Sequence, residues 1–198
     1  SAGVHPHEAS SMTEYLEEKI FRFAQEQKKI IAIGETGLDY HYMHCPEKVQ
    51  QKVFRKHLQI ADKLNLPVIL HSREAETDTL NIIRDYSVNS LGVAHSFTGS
   101  FNMAKNLLEM GWYLGINGIV TFKNAEDLRK LVSWLPLDKL LLETDSPYLA
   151  PVPFRGKTNK PAHIPVIAEF VAGLKKISTE KLAEQTLKNS QQLFKLLI

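Results

Sequence analysis

A chain of 198 residues, 43% hydrophobic and 23% charged, has the length and composition to bury one sizeable core. Its net charge of +2 gives no bulk argument for nucleic-acid binding, and a single cysteine, Cys45, excludes an internal disulfide and fits a reducing compartment. No apolar run reaches membrane-spanning length and no signal-peptide pattern opens the chain, so a single cytoplasmic domain over residues 1–198 is expected, with no membrane partner.

The opening Ala2-Gly3-Val4-His5 reads as a short strand. Ser11-Met12-Thr13-Glu14 resembles a capping box that starts a helix running to about Gln27. Lys29 to Glu35 reads as a strand, and Pro46 starts a long helix with Val53, Phe54, Leu58, Ala61 and Leu64 at helical spacing. A strand at 67–71, a helix near 74–86, a strand at 91–95, a helix near 100–109 and a strand at 112–116 follow. Asn124 and Asp127 cap a helix through about Trp134, and a strand is expected at 139–144. A loop bearing Pro147, Pro151, Pro153 and Pro161 leads to two final helices divided near Ser178.

This alternation makes six strand-then-helix units, the pattern of a parallel sheet. Four apolar runs stop at a residue able to bind a metal: Glu35, His71, His95 and Asp145. In α/β folds the carboxyl ends of strands carry function, and four such ends converging on one point favour a barrel. The expected fold class is therefore α/β, TIM-barrel-like. A full barrel takes eight units and about 250 residues, so the barrel is expected to be incomplete, with two N-terminal units absent. Open sheet edges of this kind pair readily with a second chain, which makes a homo-oligomer one expectation.

Two imidazoles with two carboxylates suit a divalent metal centre that activates water. Each residue also has a plainer reading. Glu35 alone reads as a loop acid, and a single histidine after an apolar run is more often a hydrogen-bonded core residue. Two histidines, each followed by serine and each ending a strand, bring the two readings level. Asp145 precedes Ser146-Pro147, and a carboxylate there needs a cation or donor nearby; such an acid could bind a metal and take the proton from attacking water. Asp39 reads as a group that orients its neighbours. Glu143 reads as structural. For substrate binding the candidates are His5, Arg73 and Arg155, the last in a cationic loop that suits an anion. A surface role accounts for His5 about as well and for Arg73 nearly as well, and a cation pair like that around Arg155 is usually just solvated.

Taken together, the motifs closely resemble the TatD family of metal-dependent deoxyribonucleases, within the amidohydrolase-like barrels. They are Gly3-Val4-His5-Pro6-His7, Gly34-Glu35-Thr36-Gly37-Leu38-Asp39-Tyr40, Leu70-His71-Ser72-Arg73, His95-Ser96-Phe97-Thr98-Gly99, Gly118-Ile119-Val120-Thr121-Phe122 and Glu143-Thr144-Asp145-Ser146-Pro147-Tyr148-Leu149-Ala150-Pro151. The resemblance covers essentially the whole chain and implies a distorted TIM barrel. It further implies one or two divalent ions (Mg, Mn or Zn), with Glu35 bridging them, His71 and His95 holding one, and Asp145 binding the other and assisting the water. His5 would lie near the scissile phosphate. Family members usually also carry a His-x-His pair on their first strand. Neither His5-Pro6-His7 nor His41-Tyr42-Met43-His44 follows such a strand here.

The implied function is hydrolysis of phosphodiester bonds in DNA, trimming from an end. Two other readings stand beside it: hydrolysis of another ester or amide such as a misacylated tRNA, and an inactive remnant of the fold.

Overall fold

A computed structural model describes residues 1–86 and 91–196. They form two compact units. The first holds Ser1–His95, Gly99–Tyr113 and Leu193–Lys195, and the second is built on Ser96–Thr98 and Leu114–Gln192.

In the first unit the strands β1 (Ile33–Asp39), β2 (Val68–Arg73) and β3 (Gly92–Ala94) pair in parallel and in chain order. Helix α1 (Glu14–Glu26) precedes them in sequence, α2 (Glu47–Leu64) and α3 (Glu76–Tyr86) lie between them, and α4 (Phe101–Glu109) follows. Helix α2 shows why the alternation is stable. Its buried residues Val53, Phe54, His57, Leu58, Ile60 and Ala61 recur at helical spacing and pack toward β1. Fully buried Phe54, with Ile33, Leu38 and Leu70 of the sheet, makes the centre of this core. Each such side chain is worth about 1.5–3 kcal/mol against exposure.

The second unit carries β4 (Tyr113–Ile116), whose residues 114–116 pair in parallel with β5 (Leu140–Leu142). Helices α5 (Glu126–Trp134), α6 (Ile164–Lys175) and α7 (Thr179–Phe194) complete it. Leu131, Val132, Leu135, Ile167, Val171 and Leu182 are buried here. Asn189 of α7 is buried too, and its amide donates to the carbonyls of Leu137 (2.9 Å) and Leu140 (2.8 Å), which ties the helix to the start of β5. Among the described residues no helix is long and apolar enough to cross a membrane.

Several boundaries differ from the sequence reading for local reasons. The opening strand reduces to one parallel bridge, Ala2 to Ile33. Val4 then sends its N–H to His57 Nε2 at 3.0 Å instead of to a strand, and Pro6 begins a 3-10 turn over Pro6–Ser11. Ser11 lies in that turn, so α1 is capped by Thr13, whose hydroxyl accepts from the Leu16 N–H at 3.1 Å. The N–H of Ile30 is spent on the Gln27 carbonyl, and β1 consequently starts at Ile33 and not at Lys29. Helix α5 begins after Ala125 with no side-chain cap, while Asp127 instead meets Lys130 inside it. Strand β5 stops at Leu142 because the Thr144 carbonyl is taken by the Asn159 amide at 2.7 Å.

His57 carries a pH prediction. Its Nδ1–H donates to the Val53 carbonyl at 2.8 Å and its Nε2 accepts from Val4, so the ring is neutral with both nitrogens used. Burial holds its pKa below the ordinary 6.5. The unfolded chain then takes up the proton first, so the stability His57 contributes is complete above about pH 6.5 and declines as the pH falls below it. In His57→Gln the slope of unfolding free energy against pH should flatten between about pH 6.5 and 5. A slope matching wild type would show that this imidazole does not titrate on unfolding.

Candidate metal centre

The centre is assembled by three segments of the first unit. The opening segment runs beside β1: Ala2 accepts from the Gly34 N–H at 2.9 Å, and the Val4–His57 bond fixes the chain just before His5. Strand β1 supplies Glu35 from its middle, not from its end as the sequence suggested. The β1–β2 register pairs Gly34 with Ile69 and Thr36 with Leu70, so Glu35 is the extra residue of a β-bulge. Bulges re-aim a side chain that regular pleating would send elsewhere. Strand β2 supplies His71, two residues before its end at Arg73.

The glycines around Glu35 make this bulge possible. Gly34 and Gly37 hold φ of +142° and +141°, conformations closed to most side chains. A Cβ on Gly37 would lie 1.9 Å from the His71 carbonyl oxygen, and one on Gly34 would lie 2.6 Å from that of Ile69. The two glycines keep the backbone extended and close to β2.

Glu35 Oε1 lies 2.8 Å from His71 Nδ1 and 3.4 Å from His5 Nε2. One ligand atom from each of His5, Glu35 and His71 falls within 4.8 Å of the others. The opposite side of His71 is also engaged, with Nε2 2.9 Å from Asp39 Oδ2. An imidazole facing carboxylates through both nitrogens is satisfied in two ways: as the imidazolium, or with a cation in place of the Nδ1 proton. Two imidazoles and a carboxylate also suit a divalent ion, with Asp39 as the outer carboxylate that fixes the ring. The residues present therefore fit the group.

Asp39 is fully buried at the end of β1. Its Oδ2 faces His7 Nε2 at 3.0 Å as well as His71, and its Oδ1 accepts from the N–H groups of His41 (3.1 Å) and Tyr42 (2.8 Å). Burial pushes its carboxyl upward, but the Tyr42 N–H, His7 and His71 outweigh this and bring it down to about 2. Glu35 follows the same balance. Burial raises it, whereas hydrogen bonds from His5 and His71 and the field of His95 hold it well below the usual carboxylate range. Both acids are therefore anions throughout the physiological range.

The fold thus brings together His5, Glu35 and His71, with His95 close enough to act on Glu35 through its field. Arg73 is exposed at the end of β2, its guanidinium carbon 4.7 Å from the Tyr42 ring centre. Asp145 and Arg155 belong to the second unit. Asp145 sits three residues past β5 with φ of +57°, a conformation costing a non-glycine residue about 1–3 kcal/mol. Asn159 braces that turn, its amide on the Thr144 carbonyl and its N–H on that of Pro147 at 2.9 Å. Glu143 accepts from the Ser96 N–H, a structural contact, and the Arg155 guanidinium stacks 3.8 Å from the Phe122 ring centre. The sequence gives His7 no role beyond its place in the His5-Pro6-His7 motif. Its signal was faint: only the 3-10 turn begun at Pro6 swings it onto Asp39, 32 residues away.

Residues 1–195 match the family described as TatD related DNase. The chain belongs to the TatD family. It is 48% identical over 195 residues to YcfH of Escherichia coli K12, named an uncharacterized metal-dependent hydrolase, covering 98% of this chain and 72% of that protein. It is 35% identical over 232 residues to a Schizosaccharomyces pombe protein named Deoxyribonuclease Tat-D, covering 98% of this chain and 73% of the relative. The crystal structure of YjjV, a TatD homologue from Escherichia coli K12, superimposes with a TM-score of 0.91 at 28% identity, over 100% of this chain and 76% of that one. This TatD protein is accordingly a metal-dependent hydrolase with an α/β, TIM-barrel-like fold.

Proposed function

We propose that this TatD protein hydrolyses phosphodiester bonds in DNA, trimming single strands from an end. The observation that carries the reading is the pair of carboxylates on His71, Asp39 behind the ring and Glu35 in front of it, with His5 on the same Glu35 oxygen. His5, Glu35 and His71 would hold a divalent ion. Such an ion, when bound, lowers the pKa of its water and offsets charge that builds on a phosphate. Asp39 holds the His71 ring so that Nδ1 faces Glu35. The exposed guanidinium of Arg73 pairs with a phosphate oxygen of the substrate. On the family resemblance, Asp145, the acid of the Thr144-Asp145-Ser146-Pro147 motif, would take the proton from the attacking water. The family description and the name of the fission yeast relative support DNA as substrate.

The test is hydrolysis of an end-labelled single-stranded oligonucleotide by the full chain in Mn²⁺ or Mg²⁺. Products should shorten stepwise from one end, and chelator should stop the reaction. A positioned general base contributes on the order of 10²–10⁴ in rate. Asp145→Ala should therefore lower kcat by at least about 100-fold while KM stays within a few-fold. Equal turnover in Asp145→Ala, or turnover that persists in chelator, would overturn the reading.

A further inference from the structure

We infer that Tyr42, His44 and Arg73 form a stacking subsite for an unpaired nucleobase at the rim of the metal centre. The inference rests on the phosphodiester reading and names the part of the substrate that the rim takes.

The loop that follows β1 exposes three aromatic rings beside the ligands. Tyr42 is 52% exposed, and Met43 next to it 45%. A chain of ring contacts links this rim to the centre: His71 to His5 at 4.7 Å, His5 to His7 at 4.4 Å, and His7 to His44 at 4.5 Å. Tyr42 lies nearly parallel to His44, with 21° between planes and centroids 5.8 Å apart. No bulk charge or sequence stripe announced this surface. It arises because the end of β1 and the end of β2 are paired, Asp39 with Arg73.

Two features make the rim a preformed site. The Tyr42 N–H donates to Asp39 Oδ1, the same carboxylate that holds His71, so the loop and the ligand share one buried anchor. Arg73 lays its guanidinium against the Tyr42 ring and has no carboxylate partner among the described residues. Its N–H groups are therefore available to a phosphate while the guanidinium stays over the ring. A single nucleotide answers both: the base stacks on the exposed rings, and its phosphate meets Arg73. Stacking on an open ring requires a base that is not already paired, so the subsite selects single strands.

The test measures binding and turnover separately in the full chain. Binding of a short, fluorescently labelled thymidine oligonucleotide is followed by anisotropy in chelator, and hydrolysis is followed in Mn²⁺. Tyr42→Ala should weaken binding and raise KM by roughly tenfold, in keeping with the worth of one stacked base. Tyr42→Phe should match wild type. An oligomer of abasic nucleotides should bind wild type and both variants equally weakly. Equal binding of the thymidine oligonucleotide by wild type and Tyr42→Ala, or an equal loss on the abasic oligomer, overturns the subsite alone. A wild-type chain that neither binds nor cleaves single-stranded DNA overturns the subsite together with the phosphodiester reading.

Discussion

Glu35→Gln should lower divalent-ion affinity by more than about 100-fold and take hydrolysis down with it. The estimate comes from comparison within the centre. Loss of an outer partner that merely orients a ligand typically costs 10–100-fold in metal affinity or activity. Glu35 stands closer than that, since one of its oxygens faces both His5 and His71. Glutamine preserves the length of the side chain and an oxygen for His71 but removes the negative charge. The loss should therefore appear in metal titration, while thermal unfolding in chelator reports separately the weakened contacts to His5 and His71. Calorimetric titration with Mn²⁺ checks it, and an affinity within about threefold of wild type would remove Glu35 from the ligand set.

Gly37→Ala should have the largest effect on stability. The new Cβ would sit 1.9 Å from the His71 carbonyl oxygen, and neither backbone can yield without breaking the Gly37–His71 pairing of β1 and β2. The added φ penalty at +141° comes on top of that clash. Overpacking against a fixed backbone costs about 3 kcal/mol or more, which for a chain of this length lowers Tm by roughly 6–12 °C. The same shift displaces His71, so metal affinity should fall alongside. A Tm within about 2 °C of wild type would show that the β1 backbone can relax, and the bulge would lose its account.

These two variants mark where the sequence was informative and where it was not. The β–α alternation was readable because α2 repeats its apolar positions at helical spacing and β2 and β3 are short buried runs. His71 stood out for the same reason, as an imidazole following Val68-Ile69-Leu70. Glu35 was also visible, but it read as the end of a strand or a loop acid, whereas positive φ at Gly34 and Gly37 keeps the strand going through a bulge. Periodicity carries no signal for that choice, because the same two glycines permit either path. His7 and Tyr42 were out of reach for a different reason. Both are tied to Asp39: His7 reaches it from 32 residues away through a 3-10 turn, and the local bond from the Tyr42 N–H, three residues on, fixes the loop without showing where its ring lies. The strand at the start failed because a single backbone N–H, that of Val4, found His57 in place of a neighbouring strand.

The central claim is that His5, Glu35 and His71 share one cation. Anomalous scattering from a crystal of the full chain grown with Mn²⁺ tests it most directly. One ion should lie about 2.0–2.3 Å from His71 Nδ1 and from a Glu35 oxygen, with His5 Nε2 on the same ion and Asp39 still on the far side of His71. An anomalous peak elsewhere, with the His71 ring still hydrogen-bonded to both acids and no ion between them, would contradict it.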